Sequence, residues 1–217
     1  MLGNAAIKEY SFKTTVGVPP YAAGELKFRK GIKQTAFHGV IGSKGALLKV
    51  HNTFLKPFFI EDLIGEYWQM RKVAGLFDVT GEEIIEIAGP DALGFMNEMV
   101  TRDLRKAVDG QCLYGIMCYD YGGIVEDAVI VRFSAERFWW IGGLGYSEQW
   151  LYANSLGRNV TVRSLLDRKA LASIQGPRSR DILQSVCGSD ITGLPFYHSV
   201  ETDVCGVPCV VTRTGYT

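Results

Sequence analysis

Net charge is the first thing this sequence lacks: Lys plus Arg total 23, and Asp plus Glu total 23, over 217 residues. A chain so balanced has no overall field for a polyanion. No long basic run interleaved with aromatics compensates, so nucleic acid is not an expected partner. Apolar runs approaching the roughly 20 residues of a membrane span are also missing, and the first residues hold no signal-peptide core. Both absences point to a cytoplasmic or organelle-matrix setting without a membrane partner. Histidine is scarce, with His38, His51 and His198 alone. The five cysteines (Cys112, Cys118, Cys187, Cys205, Cys209) are odd in number and form no C-x-x-C pair, so reduced, mostly buried thiols are expected and a metal centre is not. A Cys nucleophile paired with His198 stays open as an alternative, with no local sequence support.

What is present suits a globular α+β protein: 47% hydrophobic and 21% charged residues, enough for one large or two small domains. Residues 1–34 carry Gly, Pro and Lys without periodicity and read as an irregular arm preceding a domain over 35–217. From Glu61 to Gly75, Leu63, Ile64, Tyr67, Trp68 and Met70 recur at helical spacing, which predicts an amphipathic helix with a Gly C-cap. Ile84 to Ala88 predicts a strand. Ile87-Ala88-Gly89-Pro90 and Ile174-Gln175-Gly176-Pro177 then echo each other, each passing from an apolar strand into a helical run. Proline stops strand pairing and pre-sets the first helical turn. The echo predicts a duplicated strand-Gly-Pro-helix unit within one sheet assembly, the rival reading being chance recurrence of a common turn. Between the copies, Gln111–Tyr119, Ile124–Phe133 and Phe138–Ile141 are separated by turn signals, including Asp120-Tyr121-Gly122-Gly123, and predict an antiparallel meander. Trp139, Trp140, Tyr114 and Tyr119 are either core or the lining of a pocket for a flat heteroaromatic ligand.

Alternation along Val125–Phe133 puts Asp127 with Val125, Val129, Val131 and Phe133, and puts Glu126 with Ala128, Ile130 and Arg132. Asp127 is thus the sole charge on an apolar face. Desolvating an unpaired carboxylate costs several kcal/mol, so Asp127 reads as a buried site candidate lining the principal cavity. Its bland alternative is a structural Asp held by backbone N–H groups or an Arg. By the same phase Glu126 reads as surface.

The succession Leu76-Phe77-Asp78-Val79, Ile87-Ala88-Gly89-Pro90-Asp91-Ala92, Gly122-Gly123-Ile124-Val125-Glu126-Asp127, Ile174-Gln175-Gly176-Pro177 and Thr212-Arg213-Thr214-Gly215-Tyr216-Thr217 resembles the tetrahydrofolate-dependent aminomethyltransferase family, the glycine cleavage T-protein and its relatives. The resemblance covers about residues 35–217. It implies an α+β folate-binding fold followed by a small C-terminal barrel, tetrahydrofolate as cofactor, and a small one-carbon donor or a lipoyl carrier protein as partner. It also implies roles for three residues: Asp127, the second acid of the family's Gly-Gly-x-x-Asp-Asp segment, as the carboxylate beside folate N10, and Tyr114 and Tyr216 as folate contacts.

Departures from the family pattern bear on the donor. Thr80-Gly81-Glu82 stands where T-proteins have Ser-His-Met, and Gly143 where they often have Asn. Val50-His51-Asn52-Thr53, Glu66-Tyr67-Trp68, and Arg102-Asp103-Leu104 through Tyr114 are closer to dimethylsulfoniopropionate demethylase, a relative passing a methyl group to the same cofactor. The family continues Gly-Tyr-Thr with an acidic loop and a barrel. A chain stopping at Thr217 is accordingly expected to lack that barrel and to bind folate poorly. Two functions follow from the resemblance: a one-carbon transferase, including the demethylase variant, or a non-catalytic folate-binding regulatory or assembly protein. An unrelated α+β domain is the third reading.

Overall fold

In the computed structural model, residues 21–22, 31–143 and 145–215 are described, so most of the expected N-terminal arm and the candidate Tyr216 lie outside the described residues. The chain divides into two compact units, one formed by residues up to Gly81 with Ala170–Ser179, the other by Glu82–Lys169 with Arg180 onward.

In the first unit, strands β1 (Tyr21–Ala22), β2 (Lys33–Gln34), β3 (Leu47–His51) and β4 (Phe54–Phe59) form a sheet in the order β1-β3-β4-β2. Asn52 and Thr53 turn the β3–β4 hairpin with φ of 47° and 66°, the left-handed pair that matches strand twist in a two-residue loop. Leu48 and Leu55 face one side, where with Ala46 they make a small core joined by Ile41 of helix α1 (His38–Ser43). Helix α2 (Leu63–Lys72) starts because Asp62 accepts the N–H groups of Ile64 and Gly65 at 3.2 and 3.0 Å, occupying donors a helix cannot satisfy internally. Its end differs from expectation: the C-cap is Val73, and Gly75 opens strand β5 (Gly75–Asp78). A Cβ at Gly75 would be a tight fit, 3.2 Å from the Phe77 ring and 3.3 Å from Met70. The amphipathic reading of α2 also fails at the packing level, because none of its residues is buried.

The second unit contains a five-stranded antiparallel sheet, β6 (Glu83–Ala88), β7 (Cys112–Cys118), β8 (Ile124–Ser134), β9 (Arg137–Gly142) and β10 (Thr161–Ser164), in the order β10-β6-β9-β8-β7. The expected meander is its β7-β8-β9 portion. The β7–β8 turn closes as Gly122 N–H reaches Tyr119 O at 2.8 Å and Tyr119 N–H reaches Gly123 O at 2.7 Å. Helices α3 (Ala92–Met99) and α4 (Ser147–Ser155) cover one face, burying Phe95, Met96 and Leu151 against Ile85, Ile87, Ala128, Ile130, Phe138 and Trp140. Each fully buried side chain of this size contributes roughly 1.5–3 kcal/mol. A hairpin of β12 (His198–Val204) and β13 (Val207–Arg213) meets the start of β7, where Cys112 N–H donates to Tyr197 O at 2.7 Å. Among the described residues no barrel forms.

Both copies of the echo form the strand-Gly-Pro-helix passage. β6 leaves through Gly89 (φ 142°) into α3; β11 (Ala172–Gln175) leaves through Gly176 (φ 123°) into α5 (Ser179–Gln184). The likeness extends to the partner strands. Asp91 N–H donates to Asn159 O, two residues before β10; Arg178 N–H donates to Val73 O, two residues before β5. The expectation of one sheet is corrected: β6 belongs to the five-stranded sheet, whereas β11 pairs with β5 in a separate two-stranded sheet among the described residues. A common turn motif fixes a local crossover and leaves strand pairing to longer-range packing.

At both glycines the partner backbone fills the space of a side chain. A Cβ would lie 2.1 Å from Asn159 O at Gly89, and 2.6 Å from Met70 O at Gly176. Gly89→Ala and Gly176→Ala should each lower the unfolding free energy by about 2–4 kcal/mol in urea denaturation, from strained φ plus overpacking. Gly94→Ala, inside α3 with nothing within 4 Å of its Cβ position, should instead stabilise by about 0.5–1 kcal/mol.

Candidate functional site

Pairing of β7 with β8 sets Ile116 opposite Asp127 and Tyr114 opposite Val129. Tyr114 and Asp127 are therefore diagonal neighbours on one sheet face, within reach of a long side chain. The Tyr114 hydroxyl donates to Asp127 Oδ2 at 2.6 Å, a short, charge-assisted bond. Arg102 steadies the strand behind it, its guanidinium donating to Tyr114 O at 3.1 Å. Half-buried Ile116, Val129 and Ile141 surround the pair.

The burial expected for Asp127 is overturned. Asp127 is exposed, and Tyr114 retains 44% of its accessible surface. The covered face of β8 is the opposite one, where Ala128 and Ile130 join the core under α3 and α4. The valines beside Asp127 misled the reading because that face is covered at one end only: Val131, Trp139 and Cys112 are buried, while Tyr114 and Asp127 stand at the open end. Nor does Asp127 line either of two large depressions. One, about 530 Å³, lies beside the start of α3 and is lined by Pro90, Asp91, Leu93, Arg105 and Arg158 among others. The second, about 340 Å³, is lined by Arg102, Asp103, Lys106, Ala107, Gln111 and Leu113. Of the four aromatics, Trp139 and Trp140 are core, and Tyr119 stacks on Tyr121 with its centroid 5.3 Å away.

Glu126 reverses its expectation as well. It points to the helix-covered side, where Ser147, the fully buried first residue of α4, donates its hydroxyl to Glu126 Oε2. The β9–α4 loop supplies room: a Cβ at Gly143 would come within 2.7 Å of Glu126 Oε1, and one at Gly145 within 3.2 Å of Oε2. Burial, and secondarily the neighbouring Asp127 charge, push the Glu126 carboxyl above its ordinary value, while the Ser147 hydroxyl opposes them. Sequence reasoning missed Ser147 and Glu126 because their proximity depends on where α4 docks. The available signal was the Gly143/Gly145 pair, whose missing side chains leave space for a longer acid.

The thiols and histidines do not assemble a second centre. His198 Nδ1 lies 3.1 Å from Phe196 O, and no described hydrogen bond joins His198 to a cysteine. Burial pushes the Cys112 thiol up to about 11, opposed by a hydrogen bond from Ser199. Among the described residues no three of His, Cys, Asp and Glu are grouped to hold a metal ion. None of the described helices is long and apolar enough to cross a membrane.

An antiparallel sheet with helices on one face and a Tyr–Asp pair on the other, with one strand-Gly-Pro-helix passage leading from β6 into α3, defines an α+β domain of the T-protein fold. The solved glycine cleavage aminomethyltransferase T of Bartonella henselae superposes with a TM-score of 0.77 over 86% of this chain and 51% of that one, at 24% identity, a likeness of fold. Residues 37–217 match the model of the GCVT N-terminal domain, and the chain belongs to that family. An aminomethyltransferase of Moorella thermoacetica is 32% identical over 189 residues, 86% of this chain and 52% of the relative; one of Alkaliphilus metalliredigens is 34% identical over 166 residues, 74% and 45%. The chain thus spans about half the length of these relatives.

Two titrations test the buried groups. Unfolded Glu ionises near 4.3, and the folded Glu126 carboxyl holds its proton to higher pH, so its contribution is fully present below the unfolded value and is lost as pH rises through the folded one. Glu126→Gln should remove that decline from unfolding free energies measured between pH 4 and 8. An unfolded thiol ionises near 8.5, so Cys112 stabilises below that pH and loses its contribution as pH rises towards about 11. Native Cys112 should react with iodoacetamide at least roughly tenfold more slowly than exposed Cys205 at pH 8.

Proposed function

We propose that this chain is the folate-binding portion of a tetrahydrofolate-dependent one-carbon transferase, with Tyr114 and Asp127 at its reacting end. The observation that carries the reading is the 2.6 Å Tyr114–Asp127 bond on the open end of the sheet, in a chain of the GCVT family. The side chains present fit such a cofactor. Ile116, Val129 and Ile141 offer an apolar bed for a flat ring, and Asp127 offers a carboxylate for a protonated nitrogen. When bound, tetrahydrofolate supplies the nitrogen that accepts the one-carbon unit.

This chain's own contribution is positioning and electrostatics. Held by the Tyr114 hydroxyl, Asp127 presents its free carboxylate oxygen in a fixed direction, so little reorganisation is needed as positive charge develops beside it. Orientation of reactants can itself supply roughly 7–11 kcal/mol of rate enhancement. Glu126 faces away from this space and holds the start of α4 through Ser147. The donor is an aminomethyl group on a lipoyl carrier in the reading drawn from the family. Thr80-Gly81-Glu82 in place of Ser-His-Met favours, as a second reading, a small methyl donor and a demethylase. A donor screen that separates methylene- from methyl-tetrahydrofolate as product decides between them.

In an NMR titration of the chain with tetrahydrofolate, shift changes should centre on Tyr114, Ile116, Asp127 and Val129; changes confined to other strands would overturn the site. Asp127→Asn should lower turnover by about a hundredfold or more while weakening folate binding by less than about threefold, since it removes charge and little volume. Tyr114→Phe should retain the fold and weaken binding and turnover together, by roughly tenfold.

A further inference from the structure

Helix α2 has little packing in its own unit. A helix of ten residues is marginal in water by itself, and in proteins such helices are held mainly by burying one face. None of the side chains of α2 is buried, and only Met70 is partly covered. The helix is fastened at its C-terminal end through backbone, where Gly176 fits against Met70 O and Val73 O, and Arg178 N–H donates to Val73 O at 2.9 Å. Its apolar side chains are left uncovered. Spacings of three and four residues put Leu63, Ile64, Tyr67 and Trp68 on one stripe, of which Ile64 keeps 63% and Trp68 50% of its surface. The Tyr67 and Trp68 rings meet edge to face at 5.1 Å. A contiguous exposed apolar patch of this kind marks an interaction surface.

Charge is sorted by sign along the same helix. Glu61 and Asp62 precede it and Glu66 lies in its first turn, while Arg71 and Lys72 close it. Most of these groups are occupied. Asp62 caps the helix, Glu66 Oε1 accepts the N–H groups of Ile60 and Glu61 at 2.7 and 3.0 Å, and Lys72 Nζ stands 5.3 Å from the Trp68 ring centroid. The side chains of Glu61 and Arg71, both exposed, have no ion-pair partner among the described residues. Arg71 follows Tyr67 by four residues and Trp68 by three, so it ends the apolar stripe on the same side. A helix with acid before it, base at its end and an apolar stripe between them is complementary to its own reversed copy.

We propose that the α2 stripe is a docking surface for a second copy of this chain, whose α2 crosses the first antiparallel, with Tyr67 and Trp68 at the crossing and Glu61 of each copy facing Arg71 of the other. In a two-fold contact every pair recurs twice, so both unpaired charges of each copy are matched. Tyr, Trp and Arg are also the residues in which interface binding energy concentrates. One helix face per copy buries less than the roughly 1,600 Å² of a standard interface, so the dimer is weak and concentration-dependent. The proposal does not involve Tyr114 or Asp127 and stands or falls apart from the folate reading.

Sedimentation equilibrium of the chain over about 1–300 μM tests this, and a reversible monomer–dimer equilibrium with Kd of tens of micromolar, roughly, is the expected result. Trp68→Ser should weaken it by about tenfold or more. Arg71→Glu and Glu61→Arg each bring like charges together and should each weaken it by at least about tenfold. The double variant Glu61→Arg, Arg71→Glu re-creates both pairs with their signs exchanged and should return Kd to within about threefold of the parent. Tyr121→Ser, at an exposed aromatic in the other unit, should change nothing. Every replaced side chain is exposed, so circular dichroism should show all variants folded. A chain that stays monomeric or forms larger assemblies, a dimer indifferent to Trp68→Ser or sensitive to Tyr121→Ser, or a double variant as weak as the singles would overturn the proposal. The monomeric outcome would assign the stripe to a different polypeptide.

Discussion

The period-2 pleat of β8 is the constraint on which the candidate site depends. Two consecutive acids, Glu126 and Asp127, must leave the strand on opposite sides, and the sheet gives those sides different environments. One is sealed by α3 and α4 around Phe95, Met96 and Leu151; the other is closed only near Cys112, Val131 and Trp139. The carboxyl on the sealed side rises above its usual value and meets a buried hydroxyl. The one on the open side takes a phenol as partner and faces the solvent. Two chemically similar residues thus acquire different work from one geometric rule.

The sealed side in turn depends on backbone-to-backbone approach. Gly89 lets β6 turn into α3 with the Asn159 carbonyl where a side chain would otherwise stand, which brings the helix down onto Ile85, Ile87 and Ile130. Gly176 does the same for β11 against Met70 and Val73. Each glycine carries its unit's crossover because no other residue combines positive φ with an absent Cβ. The following prolines, Pro90 and Pro177, end strand pairing at the same place in both copies.

In the first unit Thr53 sits in a left-handed turn, a conformation that costs a β-branched residue free energy. The five-stranded sheet gathers two arginines and an indole around one acid. There Glu86 receives Arg137, Arg163 and Trp139 N–H groups, and these donors draw its carboxyl below the ordinary range although burial opposes them.

Much of this was legible in the residues: the meander from its turn signals, the strand-Gly-Pro-helix echo from Ile87–Pro90 and Ile174–Pro177, and the opposed phases of Glu126 and Asp127. Those features are local, set by φ restrictions and side-chain alternation within a few residues, so the sequence by itself determined them. Which face of β8 is covered was decided only by the tertiary structure. Asp127 read as buried and Glu126 as exposed because alternation separates two faces without saying where helices dock. The docking of α3 and α4 also placed Ser147 on Glu126, and strand pairing placed β11 with β5 and Tyr114 with Asp127. Each of these juxtaposes residues distant in sequence, and the free energy that selects them resides in burial and hydrogen bonds that exist only once the layers have met.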